Sequence, residues 1–390
     1  MVTVLFLMFT QLPYLAIMPS IDIIHKHVYI DKTIAEIQTA LMLNGIVAVF
    51  SGILTSFLIQ KSIISKKAAV VWGTAIGGLT GVIALLFHTQ FWQLIMCSTI
   101  LGIGFGASSP NTQSILMDTF DEQEVHFISG IQFSCLNAGG IVFSLLGGFI
   151  VSPAFWYAGY VVLLVTLPVS ILSAITIKSR KTPKEDKRNK TRVIKPTKLP
   201  RDVYYYFSLS LVYAILQNVS TSNLATHLRI AEIGDAGTAG AATALMLGGG
   251  VLMGLLFQPI SKKFGDYTIS ASFSSLAIGL TALNLFSHSI IIAFAAMFII
   301  GLGLTLMLPQ VAFSVSRLVD ETNSATASML LACISPGAGT FFSPVIITNI
   351  TSIFSGSTNF RYQFTGFLAL AVALFAAINT KRRASRGVRG

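Results

Sequence analysis

The chain has 390 residues, 53% of them hydrophobic and only 11% charged, with a formal net charge of +11. Soluble domains carry about 25% charged residues, and a mean hydropathy of +0.75 excludes an ordinary water-soluble domain. The charges are gathered between long apolar blocks, so the bilayer is the solvent in which this chain folds. Cys97, Cys135 and Cys333 sit inside apolar blocks, which excludes a disulfide framework and a zinc site.

A helix needs roughly 20 apolar residues to cross a ~30 Å hydrocarbon core. Twelve spans would use about 240 residues and leave about 150 for loops and tails. The first block begins at Val2, "VTVLFLMFTQLPYLAIMPSI". It has no basic leader and no A-x-A-like cleavage site, and it is too long for a signal h-region, so it reads as a permanent span. Further blocks fall at about 37–59, 68–87, 91–117, 127–150 and 154–177. After a polar gap they resume at about 203–226, 237–259, 267–287, 290–313, 325–350 and 362–380. The reading is an all-α integral membrane protein of twelve transmembrane helices in two six-helix bundles. Its divisions are 1–177, a basic linker loop 178–202, and 203–390 with a short basic tail.

Orientation follows from lysine and arginine. With a cytoplasmic N-terminus, 22 of the 26 fall on inner segments, eleven of them in the linker. Outer loops keep Lys26, Lys32, Arg229 and Arg361. The net charge is thus an orientation signal toward anionic headgroups, not a nucleic-acid footprint. Both termini are expected in the cytoplasm, in the plasma membrane.

The fourth block contains "ILGIGFGASSPNTQSILMDTFDEQE" and the tenth "IIGLGLTLMLPQVAFSVSRLVDETN". Gly102, Gly104, Pro110, Asp121 and Glu122 match Gly301, Gly303, Pro309, Asp320 and Glu321 at an offset of 199. The same offset carries Gly140, Phe143 and Ser144 onto Gly339, Phe342 and Ser343. An even number of spans between copies means a parallel repeat about an axis along the membrane normal.

These residues resemble the major facilitator superfamily over essentially the whole chain. The resemblance implies a secondary transporter that works by alternating access, with the first, fourth, seventh and tenth helices lining a central cavity. The chain departs from the family's patterns at named places. The loop after the second span has Gln60, Lys61, Lys66 and Lys67 without the acid, and its second copy has Lys262 in the acid's place before Lys263 and Gly265. Ser98 stands where the fourth helix usually has arginine, and Phe143–Ser144 replaces an antiporter Gly-Pro.

All fifteen acids read as lying at span ends or in loops, and no base reads as mid-span. Buried ionisable groups usually mark proton relays or charged substrates. Their absence argues for a small neutral or amphipathic organic solute, with no clamp for phosphate or carboxylate. Uncharged polar groups do occur at depth. Gln11, Asn111, Gln217, Asn218 and Gln310 are the candidates for substrate contact, on the helices the resemblance assigns to the cavity. The run "QNVSTSN" at 217–223 is polar on nearly every face, so it faces a cavity or bends there. Thr221 and Asn223 are its gate candidates. Lys61 with Asp118 and Asp121, and Lys262 and Lys263 with Asp320, are candidate conformational latches. Gly140, Ser144, Gly339 and Ser343 have the small-residue spacing of close helix packing.

Export is favoured over uptake, because the passage looks apolar and unclamped. The alternatives are a facilitator or exchanger importing a small metabolite, or a proton-coupled drug antiporter using a peripheral carboxylate such as Asp22 or Glu36. An enzyme would need a base at headgroup depth, and only His126 beside the acids of the 4–5 loop offers one. No metal or cofactor is implied. The partners are the solute, the lipid and a coupling proton, and the chain is expected to be monomeric.

Overall fold

The computed structural model describes residues 2–119, 122–177, 200–319 and 337–385. The linker residues 178–199 lie outside them. All the regular structure among the described residues is helical, without strands. In chain order the helices are α1 (Val2–Val28), α2 (Ile34–Gln60), α3 (Lys66–Leu86), α4 (Phe91–Thr119), α5 (Glu122–Ile150) and α6 (Ala158–Thr176). After the linker come α7 (Arg201–Ser222, continued by Leu224–Ile230), α8 (Ala236–Phe264), α9 (Tyr267–Leu285), α10 (Ile290–Ser316), α11 (Gly339–Phe354) and α12 (Thr358–Ser385). Nine helices among the described residues are long and apolar enough to cross a membrane. The polar run at 217–223 keeps α7 out of that set.

Several helix ends are written locally. Thr33 accepts from the Glu36 amide while Glu36 reaches back to the Thr33 amide, which satisfies the open donors of α2. Ser65 caps α3 and Ser289 caps α10. Asp235 and Thr238 form the same reciprocal box at α8. The Thr238 amide and hydroxyl, both bonded to the Asp235 carboxylate, hold that group below the usual carboxylate range. At its other end α8 stops at Gly265, whose φ of +52° suits a residue without a Cβ. Pro13 and Pro19 lack amide donors, and α1 is accordingly a series of short turns after Phe9 rather than one regular helix.

Helices α1–α6 and α7–α12 share the following neighbour relations, six helices apart. In the first half α4 packs on α2 and α3, α3 on α6, and α1 on α5 and α6. In the second half α10 packs on α8 and α9, α9 on α12, and α7 on α11 and α12. The offset glycines explain the tightest of these contacts. A Cβ on Gly102 would lie 2.6 Å from the Asn44 carbonyl of α2, and one on Gly301 would strike the Met246 carbonyl of α8. A Cβ on Gly104 would lie 2.6 Å from the Gly73 carbonyl, and one on Gly303 2.8 Å from that of Ser272. Gly73 and Ser272 are themselves 199 positions apart.

The two halves of the chain meet along α5 with α8 and along α2 with α11. On the first seam Ser144 Oγ donates to the Gly240 carbonyl at 2.9 Å, and a Cβ on Gly148 would come within 2.7 Å of the Ala236 carbonyl. On the second, Gly337 meets the Gly45 carbonyl, 2.5 Å from where its Cβ would be. Small residues on both sides let these backbones touch.

One end of the molecule carries a cluster of Tyr29, His88, Trp156 and Tyr157, in which Trp156 meets Tyr29 and His88 edge to face and the His88 and Tyr157 rings stack 3.9 Å apart. The other end carries Lys61, Lys66, Lys67, Lys262, Lys263 and Arg317. We call them the Trp156 end and the basic end. Replacing Gly104 or Gly303 with valine is expected to cost about 1–3 kcal/mol by overpacking, seen as a lower thermal unfolding temperature in detergent. Gly248→Ala, where nothing lies within 4 Å, should leave that temperature unchanged or higher.

Candidate functional site

The polar run in α7 solves its own hydrogen-bonding problem first. Ser220 Oγ donates to the Gln217 carbonyl at 2.7 Å, and Thr221 and Ser222 donate to that of Asn218 at 3.2 and 2.8 Å. Such back-bonding lets hydroxyls sit in an apolar setting and loosens the helix. The helix is interrupted at Asn223 (φ −106°, ψ −3°). Its amide nitrogen donates to the Val219 carbonyl at 3.1 Å, which leaves Oδ1 free to accept from elsewhere.

Oδ1 accepts from both halves of the chain. Gln38 Nε2 of α2 donates to it at 3.1 Å, and also to the Ser222 carbonyl at 2.9 Å. Arg361 Nη1 of α12 donates to it at 3.1 Å. Gln38 Oε1 in turn accepts from Thr348 Oγ1 of α11 at 2.9 Å, and Arg361 Nη2 donates to Ser352 Oγ at 3.2 Å. Thr348 closes a π-helical stretch, Ser343–Thr348, that begins beside Pro344. Gln38 and Asn223 are 0% exposed and Arg361 is 2% exposed. The network ties α2, α7, α11 and α12 together at the Trp156 end.

A second link crosses the halves close by. Arg229, on the continuation of α7, is ion-paired with Asp22 of α1, and Asp22 is buried. The pair borders a cavity of about 540 Å³ between the halves, lined also by Pro19, Phe149, Asp235 and Phe294. That volume is in the range of small-molecule sites. At the basic end, by contrast, the described polar contacts stay within one half. Asp266, after α8, accepts from Tyr206, from Ser314 at 2.8 Å and from Gln310 at 3.3 Å. Arg383 pairs with Asp202 at 2.8 Å while its guanidinium lies 4.3 Å from the Tyr205 ring centre.

The sequence candidates fall in several places. Gln11 is buried, with Oε1 unpaired, and borders a cavity of about 20 Å³ with Thr10, Thr74, Ser108 and Thr166. All belong to α1, α3, α4 and α6, so Gln11 faces the inside of the first half; the irregular turns after Phe9 rotate it away from the seam. A volume of that size holds about one water. Asn111 donates to the Ala107 carbonyl of its own helix at 2.8 Å. Gln217 lies 3.7 Å from Met246 Sδ, linking α7 to α8, and Asn218 donates to Thr340 Oγ1 of α11 at 3.0 Å. Gln310 is engaged with Ser261, Ser314 and Asp266, away from the Trp156-end network. Thr221 is bonded within α7, and Asn223 is at the centre of the network.

Among the latch candidates, the Lys61 ammonium lies 4.4 Å over the Phe57 ring and that of Lys263 5.5 Å over Phe264. Lys262 is exposed. The Asp118 side chain, and all of Asp121 and Asp320, lie outside the described residues. Gly140 packs against Leu247 of α8 and Gly339 against Ala214 of α7, while Ser343 is 1% exposed with an unpaired Oγ. Ser98 bonds to Tyr160 of α6 at 3.1 Å. Four members of the network, Gln38, Thr348, Ser352 and Arg361, are absent from the sequence-derived candidates. Arg361 is counted there among the outer-loop cations, yet it is a buried residue of α12's first turn.

The arrangement has close counterparts among solved structures. A transporter of the POT family in complex with a thioalcohol-conjugated peptide superposes with a TM-score of 0.78 at 13% identity, covering 97% of this chain and 96% of that one. The nucleoside transporter NupG gives 0.70 at 13% identity over 97% of each chain. The POT family transporter PepTSo gives 0.73 at 12% identity over 98% of each. A search of curated proteins gave no sequence match. The sequence model of the Major Facilitator Superfamily matches residues 2–344. Matched along nearly its whole length, and built of helices whose packing repeats six apart, the chain belongs to the Major Facilitator Superfamily and is a membrane transporter rather than an enzyme.

Proposed function

We propose that the protein is a secondary transporter of two six-helix bundles, α1–α6 and α7–α12, that rock about a central passage. The observation that carries this reading is the placement of the polar links between the halves. Asp22 with Arg229, and Gln38 with Ser222, Asn223 and Thr348, lie toward the Trp156 end, whereas the described polar contacts of the basic end stay within one half. A molecule latched across its halves at one end is one limb of an alternating-access cycle. The excess of lysine and arginine at the basic end supports a cytoplasmic location for that end and for both termini, in the plasma membrane. The solute is a small neutral or amphipathic organic compound, and export is favoured. The similar carriers of peptides and nucleosides support a solute of that size; at 12–13% identity they do not name it. The working unit is a monomer.

Thr221 and Asn223 belong to the outer gate in this reading. In a background lacking Cys97, Cys135 and Cys333, a cysteine at Ser222 should resist a hydrophilic maleimide. Adding Gln38→Leu removes bonds worth about 1–2 kcal/mol, which is roughly a 5- to 30-fold larger open fraction. Labelling at Ser222→Cys should rise accordingly; unchanged labelling would remove Asn223 and Gln38 from the gate.

Coupling is tested by reconstitution in proteoliposomes with and without an imposed pH gradient, against a panel of organic solutes. Flux insensitive to the gradient is expected, because the candidate substrate contacts are uncharged amides. Steep proton dependence would shift the coupling to a carboxylate, either the buried Asp22 paired with Arg229 or the exposed Glu36.

A further inference from the structure

Arg361 is a full positive charge placed where a charge is costly. It sits in the first turn of α12, 2% exposed, and its acceptors are the neutral Asn223 Oδ1 and Ser352 Oγ. Its Nε has no partner. The described ion pairs join Lys32 to Asp31, Arg229 to Asp22 and Arg383 to Asp202, and among the described residues no carboxylate lies within ion-pair distance of Arg361. A buried cation without a counter-charge is destabilising, and a tie between α7, α11 and α12 would be served better by an uncharged donor. Ionisable groups held inside a membrane protein mark the path of what it carries.

The surroundings of Arg361 are rich in polar groups that lack partners. Thr358 Oγ1 and Tyr362 Oη on α12, and Thr226 Oγ1 and His227 Nε2 on α7, are buried and unpaired. Thr358, Arg361 and Tyr362 share one helical face at spacings of three and four, as do Asn223, Thr226 and His227. The two faces meet, with the His227 and Tyr362 rings 5.1 Å apart. Hydroxyls can donate, and so can the guanidinium Nε. The set has spare donors, one fixed positive charge and no acid, which complements an oxyanion.

We propose that Arg361 is the recognition group for a carboxylate carried by the transported solute, reached when the halves part at the Trp156 end. This rests on the carrier reading above and narrows its solute from neutral or amphipathic to an amphipathic organic acid. A single planar guanidinium fork matches the two oxygens of a carboxylate, whereas a phosphate dianion calls for more than one cation. Gln38, from the other half, shares Asn223 Oδ1 with Arg361. Opening that end withdraws Gln38 and uncovers the Asn223–Arg361 face to the outer solution. The sequence-based exclusion of an anion clamp therefore fails at this residue, whose charge hides at the end of a span rather than in its middle.

The test compares benzoate, phenylacetate and hexanoate with benzamide, phenylacetamide and hexanamide at about pH 7.5, where the acids are ionised. Binding is read as ligand-dependent thermal stabilisation of the purified full chain in detergent. Sodium chloride and sodium phosphate at matched ionic strength serve as controls. At least one acid should act at a tenfold lower concentration than its amide. In Arg361→Gln that advantage should fall to within about twofold, while Arg361→Lys keeps part of it. The acid-to-amide ratio is read within each variant, so a change in basal stability does not mimic the effect, and Arg361→Lys carries the test where Arg361→Gln folds poorly. Amides equal to acids throughout, an acid preference that survives in Arg361→Gln, or chloride or phosphate acting as well as the acids would overturn the proposal. Amides that bind and are carried into proteoliposomes while acids are ignored would leave the carrier standing and remove the carboxylate site. Acid binding that depends on Arg361 without any flux would do the reverse.

Discussion

The constraint on which the rest depends is that polar groups taken out of water must find partners. Asn223 shows it most directly. One carbonyl oxygen at a helix interruption accepts from a glutamine of the first half and an arginine of the second, all three buried. Remove any one and a buried group loses a bond that water cannot replace in the closed seam, so the three stabilise that seam together. A contact that closes the seam reversibly is what a gate requires. Neutral hydrogen bonds are well suited to it, since each is worth only about 1 kcal/mol net and the closed state can be left again. The Asp22–Arg229 pair adds a charged link nearby.

Helix packing holds the helices together on either side of that seam. Without a hydrophobic force between helices in lipid, close van der Waals approach does the work. Glycines at equivalent places bring α4 onto α2 and α3, and α10 onto α8 and α9. Where the halves meet, Ser144, Gly148, Gly240, Gly45 and Gly337 bring backbone close to backbone, while Leu247 of α8 packs over Gly140 of α5 and Val49 of α2 over Gly337.

Much of this was legible in the sequence. The helix positions follow from apolar blocks, and the shared packing of Gly104 on Gly73 and Gly303 on Ser272 follows from the offset of 199. The polar run 217–223 announced an irregularity, and α7 is interrupted at its last residue. What could not be read from the sequence has physical causes. Gln11 could not be assigned a face, because Pro13 and Pro19 break the period from which a face is read. Gln310 sits on a helix the resemblance places at the cavity, but its partner Asp266 arrives from the end of α8, a contact no local pattern encodes. Arg361 was lost because hydropathy ends a block at the first charge. The spacing of Thr358, Arg361, Tyr362 and Thr365 continues one helical face, and that register was the available signal.

The central claim is that two bundles exchange openings at opposite ends. Spin labels at Ile30 and Ile353, both exposed near the Trp156 end, report one opening. Labels at Lys61 and Lys262, exposed at the basic end, report the other. Pulsed dipolar distances on both pairs, in lipid, are expected to be bimodal and opposed: conditions that lengthen the first distance shorten the second. Two distances that stay fixed, or that lengthen together, would contradict the account.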